Sequence, residues 1–149
     1  MSERSGRGGR RRARELALQG LYQWLIAGTP PATIRQQLGE ATGFVRCDRA
    51  FLDALWSGVT GEFDALVASV RPFLDRPVTQ LSPIEKAVLA IGAWELSRCP
   101  ETPYRVAINE AVELAKAYGG TDGFRYVNGV LDKLALATRG AETGAAPAG

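Results

Sequence analysis

The sequence predicts an all-α fold, and two observations carry that expectation. Apolar residues recur at spacings of three and four through most of the chain, and no segment sustains a period-two alternation of β-branched residues. Glycines and prolines, moreover, fall where the periodic runs begin or end, as helix terminators do, and not after strands. A chain of 149 residues with 46% hydrophobic content is long enough to bury a core of its own. About seven helices joined by short loops are expected, with 72–82 as the seam between two packed halves.

Residues 1–9 combine Gly, Ser and charge with no apolar residue after Met1, and are expected to form a flexible basic arm. A single domain is expected over 10–139. Its first helix carries Ala13, Leu16, Ala17, Leu21 and Trp24 on one stripe and stops at Gly28 and Pro30. Thr29, Pro30 and Pro31 open a short second helix with Ile34 and Leu38 as its apolar positions. Asp48 is placed to cap one long helix in which Phe51, Leu52, Leu55, Trp56, Val59, Phe63, Leu66, Val67 and Val70 keep the helical period as far as Pro72. Ser82, Pro83 and Glu85 form a cap, a first-turn proline and a capping-box acid, so a helix starts there and closes at Cys99 and Pro100. After Pro103 a further run ends at Gly119 and Gly120. Thr121 or Asp122 caps a last helix through Phe124, Val127, Val130, Leu131 and Leu134, and the segment 140–149 is expected to be a disordered tail.

The charge is unevenly spread. Residues 1–14 hold six arginines against the single acid Glu3, a local charge of +5, within a chain whose net charge is +2. Histidine is absent, which removes the commonest general base and nitrogen metal ligand, and no Walker loop, dinucleotide fingerprint or nucleophile elbow occurs. Cys47 and Cys99 lie far apart without metal-ligand spacing. No catalytic site, cofactor or metal is therefore expected. No run reaches the roughly 20 apolar residues of a membrane span, which argues against a membrane partner and for a cytoplasmic location.

Two segments stand out as candidate sites. Arg10, Arg11, Arg12 and Arg14 form a cluster suited to phosphate, because releasing condensed counterions favours clustered cations on a nucleic acid. Tyr22, two helical turns beyond Arg14, offers a ring on which an unpaired base can stack. The alternatives are a solvated basic tail and a core tyrosine. The second segment is 121–129, where Asp122 and glycines open a helix and Arg125 and Tyr126 supply charge and a ring; Phe124 and Val127 read equally as core. Asn109, Glu110 and Glu113 look like a carboxylate site, but they lack a histidine partner and read as a solvent face.

The blocks RRRARELALQGLYQW, SPIEKAVLAIGAWEL, PYRVAINEAVELAKAYGG and FRYVNGVLDKLA together resemble the NusB family, over roughly 10–136. The resemblance implies a NusB-like bundle in two subdomains and a non-enzymatic role in antitermination during transcription of ribosomal RNA operons. It also implies partners: the single-stranded boxA element of nascent RNA, the small-subunit ribosomal protein NusE, and the transcription elongation complex. On this reading Arg10, Arg11, Arg12 and Arg14 hold phosphates, Tyr22 meets a base, Asp122, Arg125 and Tyr126 line the second part of the surface, and Glu85 and Tyr104 meet NusE. Gly20 stands where the family often has Ala, a cost on the order of 1 kcal/mol in helix stability unless a close neighbour requires it. Two other readings are weighed. A NusB-like domain also fronts ribosomal RNA cytosine methyltransferases, but these need a further α/β domain and this chain ends soon after its last helix. The other is a homodimer formed through the first helix, a protein-interaction module with non-specific RNA binding.

Overall fold

The computed structural model describes residues 7–120 and 122–144. Among them are eight helices and no strand: α1 (Arg7–Ala27), α2 (Pro31–Leu38), α3 (Arg49–Gly61), α4 (Phe63–Val70), α5 (Pro83–Arg98), α6 (Tyr104–Tyr118), α7 (Gly123–Thr138) and α8 (Gly140–Thr143). The all-α expectation holds. The chain divides into two compact units between Glu62 and Phe63, not at the proline-containing segment 72–82. The same point breaks the expected long helix in two. Gly61 ends α3, and Glu62 leaves the helical conformation at φ −121° and ψ 23° although the apolar period runs on past it.

In the first unit, α1 packs on α2 and α3. Ala13, Leu16, Ala17 and Leu21 of α1 meet Ile34 and Leu38 of α2 and Leu52, Leu55, Trp56 and Val59 of α3 in the buried layer, while Trp24 is only half-buried. Burying each large apolar side chain contributes about 1.5–3 kcal/mol, which outweighs the modest propensity cost of Gly20. A side chain at Gly20 would place its Cβ 2.8 Å from Cζ3 of Trp56, so the glycine permits the close crossing of α1 and α3. Trp56 is fixed in turn by donating from Nε1 to the Pro31 carbonyl at 3.0 Å. Asp48 caps α3 as expected, its Oδ1 accepting from Phe51 N at 3.0 Å. The helix α1 starts three residues before the boundary expected at Arg10. Gly9 is buried and its carbonyl accepts from Asp48 N at 2.9 Å, which docks the first turn of α1 onto the start of α3. The rest of the expected arm, 1–6, lies outside the described residues.

The second unit is built around α5, against which α4, α6 and α7 all pack. Every residue from Ala87 to Leu96 is buried, as a helix surrounded on all sides demands. Its start is the full capping box: Ser82 Oγ accepts from Glu85 N at 3.0 Å, and Glu85 Oε1 accepts from Ser82 N at 2.9 Å. Its end is closed from outside. Arg139 donates to the carbonyls of Leu96 (2.8 Å), Cys99 (2.9 Å), Glu95 (3.2 Å) and Thr102 (3.0 Å), satisfying orphan acceptors of the last turn and the following loop. The tail expected to be disordered thus begins in an ordered turn, because α8 brings Glu142 to Arg139 and to the backbone N–H of Tyr104 at 2.8 Å. Residues 145–149 lie outside the described residues. Cys47 and Cys99 are buried and form no disulfide, and burial pushes the Cys47 thiol up from its ordinary value.

Candidate nucleic-acid interface

In the first unit the arginine cluster sits on the opening turns of α1, and the helical period sends its members in different directions. Arg10 pairs with Asp48 Oδ2 at 3.8 Å and lies 4.7 Å from the centroid of the Phe51 ring. Arg11 is exposed. Arg12 donates from Nη1 to Glu15 Oε1 at 2.7 Å and rests on the loop before α3. A Cβ on Gly43, whose φ is +92°, would stand 3.0 Å from Arg12 Nε, so any other residue there would carry a strained backbone and make that guanidinium shift.

Arg14 departs from the phosphate-holding role expected of it. It is 3% exposed, with its guanidinium 5.1 Å from the same Phe51 ring, which places it in the interior of the unit. Tyr22 is 44% exposed, so the core alternative for it does not hold. At about 100° per residue Tyr22 lies roughly 80° around the helix from Arg14 but only about 20° from Arg11, and about 16 Å further along the axis. Its companion is therefore Arg11. Leu18 between them is buried, so the two are separate stations along α1 and not one unbroken strip.

The second unit carries the rest of the expected surface at the start of α7. Asp122 is the residue before the helix but makes no side-chain cap hydrogen bond, and Thr121 lies outside the described residues. Arg125 is exposed, 5.7 Å from the Phe124 ring, and Lys116 of α6 approaches the same ring at 5.2 Å. Tyr126 is half-buried and engaged: its hydroxyl accepts from Asp75 N at 3.3 Å, and the Arg76 guanidinium lies 4.1 Å from its ring centroid. Burial, chiefly, pushes the Tyr126 hydroxyl up from its ordinary value, which keeps it neutral. Arg76 Nε donates to Asp75 Oδ1 at 2.8 Å, and this bond holds the Asp75 carboxyl below the usual range. Arg76 and Lys116 were invisible to sequence reasoning. The first lies in a loop without periodicity, and the second reads as one polar position among many on α6.

Glu85 and Tyr104 are at opposite ends of the helix pair α5–α6, which a short connection makes antiparallel neighbours. Glu85 lies beside the start of α7, its Oε2 3.7 Å from the place a Gly123 Cβ would occupy, whereas Tyr104 lies with α8 at the far end. They do not form one patch. The acidic trio of α6 also separates: Glu110 is 3% exposed and belongs to the interior, not to the solvent face expected, while Asn109 and Glu113 are exposed and Glu113 pairs with Lys116 at 3.4 Å. The spacing of three that suggested a shared surface puts one of the two glutamates over the edge of the apolar stripe.

These surfaces expose cations beside flat rings, an arrangement suited to phosphates and unpaired bases. Among the described residues no helix is long and apolar enough to cross a membrane. Residues 11–136 match the NusB family. A curated relative, the transcription antitermination protein NusB of Ralstonia nicotianae, is 57% identical over 91% of this chain and 88% of its own length. Among solved structures, that of T. maritima NusB is similar with a TM-score of 0.72 at 25% identity, over 84% of this chain and 89% of that one. A chain from a complex of the antitermination factors NusB and NusE with dsRNA shares the fold, with a TM-score of 0.73 at 20% identity over 85% of this chain and 96% of that one. With a family match that spans most of the chain and relatives more than half identical along nearly all of it, the chain belongs to the NusB family.

Proposed function

We propose that this protein is a transcription antitermination factor that binds the boxA element of nascent ribosomal RNA transcripts together with NusE, and that it does so without catalysis, in the cytoplasm. The observation that carries the reading is the solvent-facing part of α1, where Arg11 and the exposed ring of Tyr22 follow one another on a helix of 21 residues. Phosphate contacts from Arg10, Arg11 and Arg12 supply affinity and register, while base contacts at Tyr22 supply preference. Arg14 supports them from beneath through Phe51. Arg125, with Asp122 and Tyr126 beside it, gives the second contact region. Engagement of NusE, for which Glu85 and Tyr104 are the candidate contacts, adds a second binding module and raises the effective concentration of RNA at these surfaces.

The test is binding of a labelled single-stranded boxA RNA and a scrambled control, with and without NusE, at two salt concentrations. Preference for boxA that strengthens with NusE is expected. Equal binding to both RNAs, indifferent to NusE, would reduce the arginines to a non-specific basic surface.

A further inference from the structure

We infer that Arg76 is an RNA-contacting residue, and that it presents the flat face of its guanidinium to an unpaired base, with Tyr126 as the platform beneath. The inference rests on the RNA-binding reading above and adds a residue and a contact type to it. Tyr126 is not available to a base as a simple ring: one face carries Arg76 at 4.1 Å, and its hydroxyl is taken by the Asp75 backbone. What a base meets at this point is the guanidinium lying on the ring. Asp75 engages Arg76 through Nε at 2.8 Å, a bond in the plane of the guanidinium, so the exposure left to the side chain, 37%, falls to its outer face and terminal nitrogens.

Charge points the same way. The Asp75 carboxylate offsets most of the Arg76 charge, so a phosphate gains little by approaching it, whereas stacking on the guanidinium plane survives the pairing. The pair also locks the orientation in advance, which lowers the cost of ordering a long side chain on binding. Arg125, exposed on α7 one residue before Tyr126, is placed to supply a phosphate contact for the stacked nucleotide.

The experiment compares Arg76→Ala and Arg76→Lys with the full wild-type chain, NusE present, on labelled single-stranded boxA RNA across a salt series, with Arg11→Ala as reference. Lysine keeps the charge and loses the plane. Both Arg76 variants are expected to bind about tenfold more weakly, the range of one stacked base, and Arg76→Lys is expected to keep the wild-type salt slope. Wild-type affinity in Arg76→Lys would overturn the stacking assignment, as would melting temperatures that fall while RNA binding holds, since that is the signature of a loop pin. If wild type binds RNA and Arg11→Ala weakens it while both Arg76 variants do not, this inference alone fails. If wild type shows no RNA binding, the functional reading fails and takes this inference with it.

Discussion

The candidate RNA-contacting cations of the two units differ in where they come from. In the first, the candidate arginines come from one helix, Arg10 and Arg12 paired with the carboxylates of Asp48 and Glu15, and Arg10 and Arg14 lying over the buried ring of Phe51. In the second, the candidate cations come from a loop, from α6 and from α7, and each lies near an aromatic ring, Arg76 at Tyr126 and Lys116 and Arg125 at Phe124, with Arg76 and Lys116 also paired with Asp75 and Glu113. A row of charges on a rigid rod tracks a phosphate backbone, and its strength falls as salt rises. A guanidinium on a ring offers a plane, and stacking is less sensitive to salt. The arginines of α1 should therefore set how tightly the chain holds RNA in general, with Tyr22 meeting a base beside them, and Arg76 on Tyr126 should add a contact to a further base.

The largest expected effect separates foundation from surface within the first unit. Arg14→Ala removes a buried guanidinium and uncovers part of Phe51, and should destabilise the protein by about 2–4 kcal/mol, whereas Arg11→Ala should fall within about 0.5 kcal/mol of wild type. Urea denaturation of both measures this. An Arg14→Ala protein that unfolds like wild type yet loses RNA would return Arg14 to the list of direct contacts.

Gly43→Ala comes next, because it strikes the seat of Arg12. A residue with a Cβ at φ +92° costs about 1–2 kcal/mol, and that Cβ would push against Arg12 Nε. Binding to boxA should weaken a few-fold, with lowered stability, and combining it with Arg12→Ala should add nothing further to the binding loss. Full additivity in that double-mutant cycle would show that the glycine and the arginine act separately.

Exchange of arginine for lysine then sets one unit against the other. Arg11→Lys keeps the point charge a phosphate requires and should retain nearly all affinity, while Arg11→Ala should lower the salt slope by about one unit. Arg76→Lys should lose affinity at unchanged slope. Similar behaviour of the two lysine variants would erase the distinction between a charge track and a stacking platform.

How much of this was legible in the sequence follows from how local each signal is. The start of α5 was readable because its cap, proline and capping-box acid are consecutive residues whose chemistry is complete within one turn. The α1 arginines were readable as a cluster for the same reason, but their separation into exposed Arg11 and buried Arg14 depends on where Phe51 of another helix lies. The break at Glu62 was hidden by an apolar period that continues across it, and the burial of Glu110 by a neighbouring glutamate that is exposed. Arg76 could not be found at all, since its partner Tyr126 is fifty residues away in sequence and nothing in the loop around it advertises the meeting.

The smallest expected effect tests the end of the second unit that carries no ring-bound Arg76. There Glu142 accepts from the Tyr104 backbone N–H and pairs with Arg139, and these two interactions, in that order, hold its carboxyl below its ordinary value of 4.5. A carboxyl depressed in the folded state contributes stability that is present above its unfolded value and is lost as pH falls through the folded one. Glu142→Gln should therefore melt slightly below wild type at neutral pH, and the gap should close as the pH is lowered past the ordinary carboxylate range. RNA affinity at neutral pH should be unchanged, because this clasp lies with Tyr104 at the far end of α5 and α6 from Arg76 and Arg125. A gap that persists in acid would assign the effect to packing of α8 and not to the charge, and a loss of RNA affinity would mean that the clasp shapes the start of α7 from the other end of the helix bundle.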